Sequence, residues 1–295
     1  MRFGGHESFA VREGWLARGL ELLSEAPEQL THQYSEDYLG VGRNMAKSIR
    51  HWLHATGLSE GSGSPIDPLK PTALGELVRR FDPHFLDLGT WWMLHINLVL
   101  RPQQAYSWTW FFNQWAIPRF ERGPCIESLK RYAAVNLGRS PSPKTIERDV
   151  ATLLQSYARS VPPRRDDPED SSDSPFQDLG LLSHFPSTGA YRLNFGPKAV
   201  PSTIFGYALA AQQEVAARED LSISELERGV SSPGRLFLLR GDDIYDLLTS
   251  YESQDAGRFA VRSQAGERGL RLGRIASPEE WASIHYRESE VPQHV

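Results

Sequence analysis

Residues 142–154 read Ser142-Pro143-Lys144-Thr145-Ile146-Glu147-Arg148-Asp149-Val150-Ala151-Thr152-Leu153-Leu154. This stretch predicts an amphipathic helix. Ser142 is suited to cap the first turn, and Pro143 suits the first helical position because a proline lacks the backbone N–H that would stay unpaired there. Apolar residues recur at helical spacing along one side. That apolar stripe consists of Ile146, Val150, Leu153, Leu154 and Tyr157.

The opposite side of this predicted helix is polar and basic. Lys144, Thr145 and Arg148 fall on the exposed side of its first turns. The run Thr-Ile-x-Arg-Asp followed by an apolar residue resembles the recognition helix of bacterial winged-helix regulators. In such proteins the first turns of the helix meet the major groove of DNA. We interpret residues 179–182 and 191–195 as the strands of the wing.

A second amphipathic helix is predicted after Gly40-Val41-Gly42. Its apolar face carries Met45, Ile49, Trp52 and Leu53, and Gly57 ends it. A second face is basic, which suits contact with DNA phosphates. A solvated helix face is the alternative, and the sequence leaves both open. The basic residues are Arg43, Lys47, Arg50 and His54.

The C-terminal region contains a third pattern of this kind. Ser222 and Glu225 fit a capping box, in which each side chain bonds a backbone N–H of the first turn. A helix is predicted over 242–250, and residues 258–262 and 270–274 predict a hairpin that carries Arg262 and Arg271. A helix pair followed by a basic hairpin favours a winged-helix unit that binds DNA. An ordinary helix–hairpin subdomain for partner contacts is the alternative.

Together these patterns predict a mainly α protein, a multi-helix chain with tandem winged-helix-like units and small β-hairpins. We expect a helical winged-helix-like unit at 1–60 and a helical core at 61–165 that ends in the recognition-like helix. An acidic linker or loop is expected at 166–178, and a C-terminal winged-helix-like unit with the basic hairpin at 179–295. The dense aromatic run Tyr106–Trp115 suggests either a base-stacking platform or core packing, and core packing is favoured.

Composition narrows the functional class. The net charge of −5 argues against a uniformly basic nucleic-acid binder, but residues 164–178 hold six acidic and two basic residues and so account for most of the imbalance. The lone Cys125 excludes an intramolecular disulfide and a four-cysteine zinc site, and it suits a reducing cytoplasm. No signal segment, membrane span or nucleotide-phosphate loop is evident, so we expect a cytoplasmic protein without membrane contact.

Five short motifs resemble, in order and content, the SspB family. The resemblance covers about the first two hundred residues and is weaker in the C-terminal third. The most distinctive motif opens the chain, and the others are rich in glycine, tryptophan or basic residues. They are Phe3-Gly4-Gly5-His6-Glu7-Ser8-Phe9-x-x-Arg12-x-Gly14-Trp15-Leu16, Leu39–Leu53, Trp91–His95, Trp108–Asn113 and Thr145–Val150.

The resemblance implies a role in antiphage defence. SspB-like proteins are linked to a cassette that places sulfur in one strand of the DNA backbone. Its other members are a cysteine desulfurase, an ATPase and an ATP-pyrophosphatase-like sulfur-transfer enzyme, and these are the partners that the resemblance implies. Within the cassette the SspB-like member is implied to nick DNA.

The sequence offers candidates for such chemistry but no recognisable nuclease signature. His6, Glu7 and Arg12 supply a base or ligand, a carboxylate and a phosphate clamp within one short segment. Asp82, His84, Asp87 and His95 offer further ligands for a divalent ion, Mg²⁺ or Mn²⁺, if the chain cuts DNA. Alternatively, His6 and Glu7 hold the N-terminus onto the helices.

We therefore predict a DNA-binding component of a single-strand DNA phosphorothioation system that nicks DNA, an endonuclease acting on the phosphodiester bond. The main alternative is a non-catalytic adaptor that recruits the sulfur-transfer partners to DNA. A transcriptional regulator of the cassette is a third and less favoured interpretation.

Overall fold

In the computed structural model, the described residues are 1–64, 66–138, 140–162, 173–212, 218, 220–254, 257–264, 267–272 and 276–290. The chain divides into two compact units, Met1–Asn194 and Phe195–Val295. Helices predominate over three small sheets in the described part, so the prediction of a mainly α chain is confirmed. No helix among these residues is both long enough and apolar enough to cross a membrane.

The first unit begins with helices that pack around α1 and α4. Leu16, Leu20 and Leu23 on α1 are buried. Ile49 and Trp52 on α4 are fully buried, as the apolar periodicity of that helix predicts. A short antiparallel pair of strands follows α4. The elements are α1 (Trp15–Glu25), α2 (Pro27–Thr31), α3 (Ser35–Leu39), α4 (Arg43–Ala55), β1 (Ser59–Glu60), β2 (Lys70–Pro71) and α5 (Ala73–Phe81).

Two apolar helices form the centre of this unit, α6 (Leu88–Leu100) and α7 (Tyr106–Gln114). Trp108, Phe111 and Phe112 on α7 are at most 2% exposed. The aromatic run is therefore core rather than an accessible stacking platform, because its ring faces are covered by other rings.

The rest of the first unit combines two long helices with a four-stranded sheet of order β3-β6-β5-β4. β4 runs parallel to β5, and the other pairs are antiparallel. The predicted helix at 142–154 is confirmed, with the Ser142 side chain accepting the N–H of Thr145. The elements are β3 (Arg119–Glu121), α8 (Arg122–Asn136), α9 (Pro143–Tyr157), β4 (Ala158–Ser160), β5 (Leu182–Phe185) and β6 (Ala190–Leu193).

The structure changes the predicted boundaries around the acidic segment. Residues 166–172 of the predicted linker lie outside the described residues. Its other end is packed, because Pro175–Leu179 form a 3-10 helix whose fully buried Phe176 meets the rings of Trp91 and Tyr157. Residues 182–193 were expected in the C-terminal unit, but strand pairing with β3 and β4 places them in the first.

The second unit has its own core and a three-stranded sheet of order β7-β9-β8. The predicted capping box of Ser222 and Glu225 and the predicted hairpin are confirmed. Residues 265–266, within the predicted hairpin, and 273–274 lie outside the described part. The elements are α10 (Ser202–Ala210), β7 (Asp220–Ser222), α11 (Ile223–Arg228), α12 (Pro233–Leu236), α13 (Gly241–Gln254), β8 (Phe259–Gln264), β9 (Glu267–Leu272) and α14 (Pro278–Glu290).

Both units share the general order of a helix, a strand, further helices and a hairpin. In the first, helix α7 is followed by β3, α8, α9, the additional strand β4 and the hairpin β5–β6, and β3 pairs with β6. In the second, α10 is followed by β7, helices α11 to α13 and the hairpin β8–β9, and β7 pairs with β9. In each case the first strand is three residues long and leads directly into a helix.

Candidate nucleic-acid interface

The N-terminal loop is bound to α9 through the carboxylate of Asp149, which is 2% exposed. Asp149 Oδ1 accepts the backbone N–H of Gly4 at 2.9 Å and lies 3.0 Å from Nε2 of His6. Its Oδ2 accepts the hydroxyl of Ser107 at 2.7 Å. A buried carboxylate needs such donors to offset the loss of its hydration, so this arrangement ties the loop to both α7 and α9.

His6 is 1% exposed, and both of its ring nitrogens are engaged. Nδ1 accepts the backbone N–H of Ser8 at 3.0 Å, so Nε2 carries the hydrogen that is donated to Asp149. The ring stacks on Trp52 and meets the edge of Trp108. These contacts match the alternative that the sequence left open, in which His6 holds the N-terminus onto the helices.

The two glycines before His6 have a steric explanation. Gly4 has φ +73°, which side chains disfavour. A Cβ on Gly5 would lie 2.5 Å from Nδ1 of His51, so only glycine lets the loop approach α4 this closely. The motif Gly4-Gly5-His6 is therefore shaped by docking onto α4 and α9.

Glu7 and Arg12, the other residues predicted to be catalytic, are each half-buried. Glu7 has φ +50°, an uncommon conformation for a residue with a side chain. The guanidinium of Arg12 lies over the rings of Phe9 and Trp15, 5.8 and 5.4 Å from their centroids. Both ring nitrogens of His6 are already hydrogen-bonded within the protein, and the catalytic role of the three residues stays a prediction.

His51 on α4 is a buried polar group beside this loop. Its Nδ1 has no hydrogen-bond partner within the described ranges. Burial, together with the nearby charge of Arg2 and the ring of His6, holds the pKa of His51 well below its usual value. No motif or spacing in the sequence distinguishes this histidine as a functional residue.

The four residues predicted as metal ligands differ in their contacts and burial. The carboxylate of Asp82 accepts the N–H groups of residues 86 and 87 and the hydroxyl of Thr90, and burial raises its pKa. Asp87 caps α6, and His95 is fully buried with Nδ1 2.9 Å from the hydroxyl of Tyr157. His84 is exposed. In the part of the chain that is described, no three His, Cys, Asp or Glu side chains are grouped to hold a metal.

The first turns of α9 present the predicted DNA-binding side chains. Lys144 and Arg148 are exposed, and Thr145 is half-buried with its hydroxyl 2.8 Å from that of Ser142. A groove of about 530 Å³ opens beside this helix start, lined by Met1, Phe3 and residues of the turn between α8 and α9. The apolar stripe and Asp149 fix the helix from the opposite side.

On α4, Arg43 and Lys47 are exposed and Arg50 is half-buried. Nε of Arg43 donates to Glu36 at 3.1 Å. A backbone hydrogen bond, with Arg43 and Lys47 near, lowers the pKa of Glu36. The predicted basic face is therefore accessible, but one acidic neighbour offsets part of its charge.

In the second unit, Arg262 on β8 lies 3.5 Å from a carboxylate oxygen of Asp220. Arg271 on β9 is the direct cross-strand partner of Asp220. One aspartate thus faces both predicted DNA-binding arginines of this unit, which reduces the positive charge that they present.

Asp149 was not among the predicted functional residues, although its place in the sequence distinguishes it. Asp149 follows Ile146 by three residues and precedes Val150, so it lies on the apolar stripe of α9. A charged residue at such a position needs buried partners. Those partners, Gly4 and Ser107, are distant in sequence, and only the folded chain identifies them.

The chain matches one protein-family model and is similar to two solved structures. The family model described as "Protein of unknown function (DUF4007)" matches residues 3–285. A solved structure described as "Magnesium ion-bound SspB crystal structure" is similar, with a TM-score of 0.84 and 25% identity over 99% of this chain and 90% of that one. Another, described as "SspB crystal structure", has a TM-score of 0.83, with the same identity and coverage. No match was found among the curated proteins. The resemblance to SspB indicated by the sequence motifs is confirmed.

Proposed function

Because the chain belongs to the DUF4007 family and has the fold of SspB, we propose that it binds DNA as a component of a single-strand DNA phosphorothioation system. The observation that carries the proposal is that each unit has a helix, a strand, two or three further helices and a hairpin in this order, with the first strand paired to the last strand of the hairpin. A winged helix has this order, with two helices before the hairpin. Residues 106–193 and 202–272 are then two winged-helix units, the first with the additional strand β4.

In the first of these units α9 is the recognition helix. Helix-turn-helix proteins place the N-terminal residues of their second helix against base edges in the major groove. On α9 these are Lys144, Thr145 and Arg148, and the two cations are exposed. Lysine and arginine bind guanine or phosphate oxygens, and threonine contacts either kind of base pair.

The helix α4 provides a second DNA contact. It is preceded by α1 to α3 and followed by the pair β1–β2, an arrangement of helices and a short hairpin that resembles a reduced winged helix. Arg43 and Lys47 point away from the buried face of α4, so they are available to phosphates. Arg262 and Arg271 contribute less, because Asp220 faces both.

Binding of labelled duplex and single-stranded oligonucleotides, measured by fluorescence anisotropy at several salt concentrations, tests the proposal. Arg148→Ala is expected to weaken binding by about fivefold to a hundredfold if it makes one good contact. Arg131→Ala, at an exposed arginine on the neighbouring α8, is the matched control. A wild-type chain that binds no DNA at low salt would refute the proposal.

Nicking is the second function that we propose, because one solved relative is described as magnesium ion-bound. No three of the residues predicted here as metal ligands are grouped in the described part of the chain, so no step of a metal-dependent mechanism is assigned to them. Glu7 remains the catalytic candidate that can be altered without removing a buried hydrogen-bond hub.

Supercoiled plasmid incubated with the protein in Mg²⁺, Mn²⁺ or EDTA distinguishes a nickase from a non-catalytic adaptor. Metal-dependent open circles that disappear in Glu7→Gln and Arg12→Ala would place the chemistry in the N-terminal loop. Nicking that persists in both variants would place it elsewhere. DNA binding without nicking would favour the adaptor, which recruits the ATPase, the cysteine desulfurase and the ATP-pyrophosphatase-like sulfur-transfer enzyme to DNA.

A further inference from the structure

The outer face of the four-stranded sheet carries two arginines directly opposite each other. Arg119 on β3 and Arg192 on β6 are cross-strand partners, and both are exposed. Cross-strand partners share one face of a sheet, with Cβ atoms about 4.5–5.5 Å apart. We call these two residues the arginine pair.

Two like charges at this separation destabilise a sheet. Among the described residues, neither arginine forms an ion pair within 4 Å. Within the described ranges, the hydrogen bond of Arg192 goes to the amide oxygen of Asn194, and Glu121 lies on the same face of the sheet without pairing with either arginine. No ion-paired carboxylate in the described part of the chain therefore offsets the positive charge of the arginine pair.

The ring of Phe185 holds both guanidinium groups in place. Their central carbons lie 6.0 Å (Arg119) and 5.3 Å (Arg192) from the ring centroid. Such cation–π contacts restrict the two long side chains before any ligand arrives.

The second unit indicates that this topology does not require a pair of arginines. In its equivalent sheet, Asp220 opens β7 as Arg119 opens β3, and it pairs with Arg271 on β9. The next positions also correspond, since buried Leu221 takes the place of buried Phe120. The equivalent arginine thus faces a carboxylate in one unit and a second arginine in the other.

We propose that the arginine pair binds the phosphate backbone of DNA, a proposal that rests on the DNA binding proposed above. Paired guanidinium groups match the oxygens of a phosphate in charge and in hydrogen-bond geometry. The contact is independent of sequence and separate from the base contacts of α9. It adds affinity that falls as salt concentration rises.

The test is the salt dependence of binding to a duplex of random sequence, measured for the full chain and for Arg119→Asp. The substitution copies the second unit and leaves a carboxylate opposite Arg192. The slope of log affinity against log salt is expected to decrease by about 0.9 for each phosphate that the variant no longer binds. The thermal unfolding midpoint should stay the same or rise, because a repulsive pair becomes an attractive one.

Arg192→Gln provides a second, neutral variant, and Arg131→Asp on α8 is a charge-matched control. An unchanged slope in both sheet variants, with wild-type binding intact, would overturn the proposal for the arginine pair alone. An equal decrease in the Arg131→Asp control would also overturn it. A wild-type chain that fails to bind any DNA would overturn both this proposal and the proposed function.

Discussion

The imidazole Nε2 of His6 lies 3.0 Å from Oδ1 of Asp149, with both side chains buried. This contact joins the first sequence motif, at the N-terminus, to the motif at 145–150 on α9. Asp149 lies on the buried side of the helix whose exposed side carries Lys144 and Arg148. The N-terminal loop thus helps to fix the position of the helix that we propose reads DNA.

Replacement of Asp149 by alanine is expected to lower the free energy of unfolding by about 3–5 kcal/mol. The substitution leaves three donors without their acceptor, the buried side chains of His6 and Ser107 and the partly buried N–H of Gly4. Urea denaturation followed by circular dichroism measures the change. Ser107→Ala removes only one of the donors, so it should lower the free energy of unfolding by much less. Equal losses in the two variants would contradict the role of Asp149 as a hub.

Stability should fall as the pH is lowered below about 6.5, the usual pKa of histidine. Because the pKa of His51 is depressed in the folded chain, the unfolded chain takes up the proton first. The contribution of neutral His51 to the free energy of unfolding is complete above pH 6.5. It is lost as the pH falls toward the pKa of His51 in the folded chain, by at most about 1.4 kcal/mol per pH unit for one proton. Denaturation of wild type and His51→Gln between about pH 7 and 5 checks this. An unchanged pH slope in the variant would contradict the assignment.

Arg43→Glu combined with Lys47→Glu is expected to weaken DNA binding without unfolding the chain. Both side chains are exposed on α4, and the double change turns an attraction for phosphate into a repulsion. Arg79→Glu with Arg80→Glu on α5 is a close control. It reverses the same charges and also breaks one arginine–glutamate pair. Equal affinity for DNA in both double variants at low salt would remove α4 from the interface.

Cys125 is expected to resist thiol reagents in the native protein. The residue is fully buried, and burial raises the pKa of its thiol to about 12, so little reactive thiolate exists at neutral pH. Iodoacetamide labelling at about pH 8, followed by mass spectrometry, should modify Cys125 only after urea is added. Rapid labelling without urea would indicate that α8 opens in the native state.

Local features could be predicted from the sequence because each depends on residues within one or two helical turns. The Ser142 cap, the apolar stripe of α9 and the capping box of Ser222 and Glu225 are of this kind, and all are present. The burial of the aromatic run was predicted for a similar reason, since so many adjacent rings have few other places to pack.

Features that depend on contacts between residues far apart in the chain could not be predicted from the sequence in this way. The hydrophobic pattern did not assign residues 182–193 to the first unit, because that depends on which strands they pair with. The predicted ligands Asp82, Asp87 and His95 were residues of the right type. In the fold, each of them instead forms a structural hydrogen bond or helix cap, such as the contact of His95 with Tyr157.

The sequence by itself determined the helical class of the chain, its main caps and its resemblance to SspB, because periodicity, capping and short motifs are properties of neighbouring residues. Only the tertiary structure decided that the carboxylate of Asp149 accepts hydrogen bonds from Gly4 and His6. It also decided that Arg119 pairs across strands with Arg192 in the first unit, whereas Asp220 pairs with Arg271 in the second. Strand register and buried hydrogen bonds join residues far apart in the chain. Their partners are selected by the packing of the whole unit, which no local pattern contains.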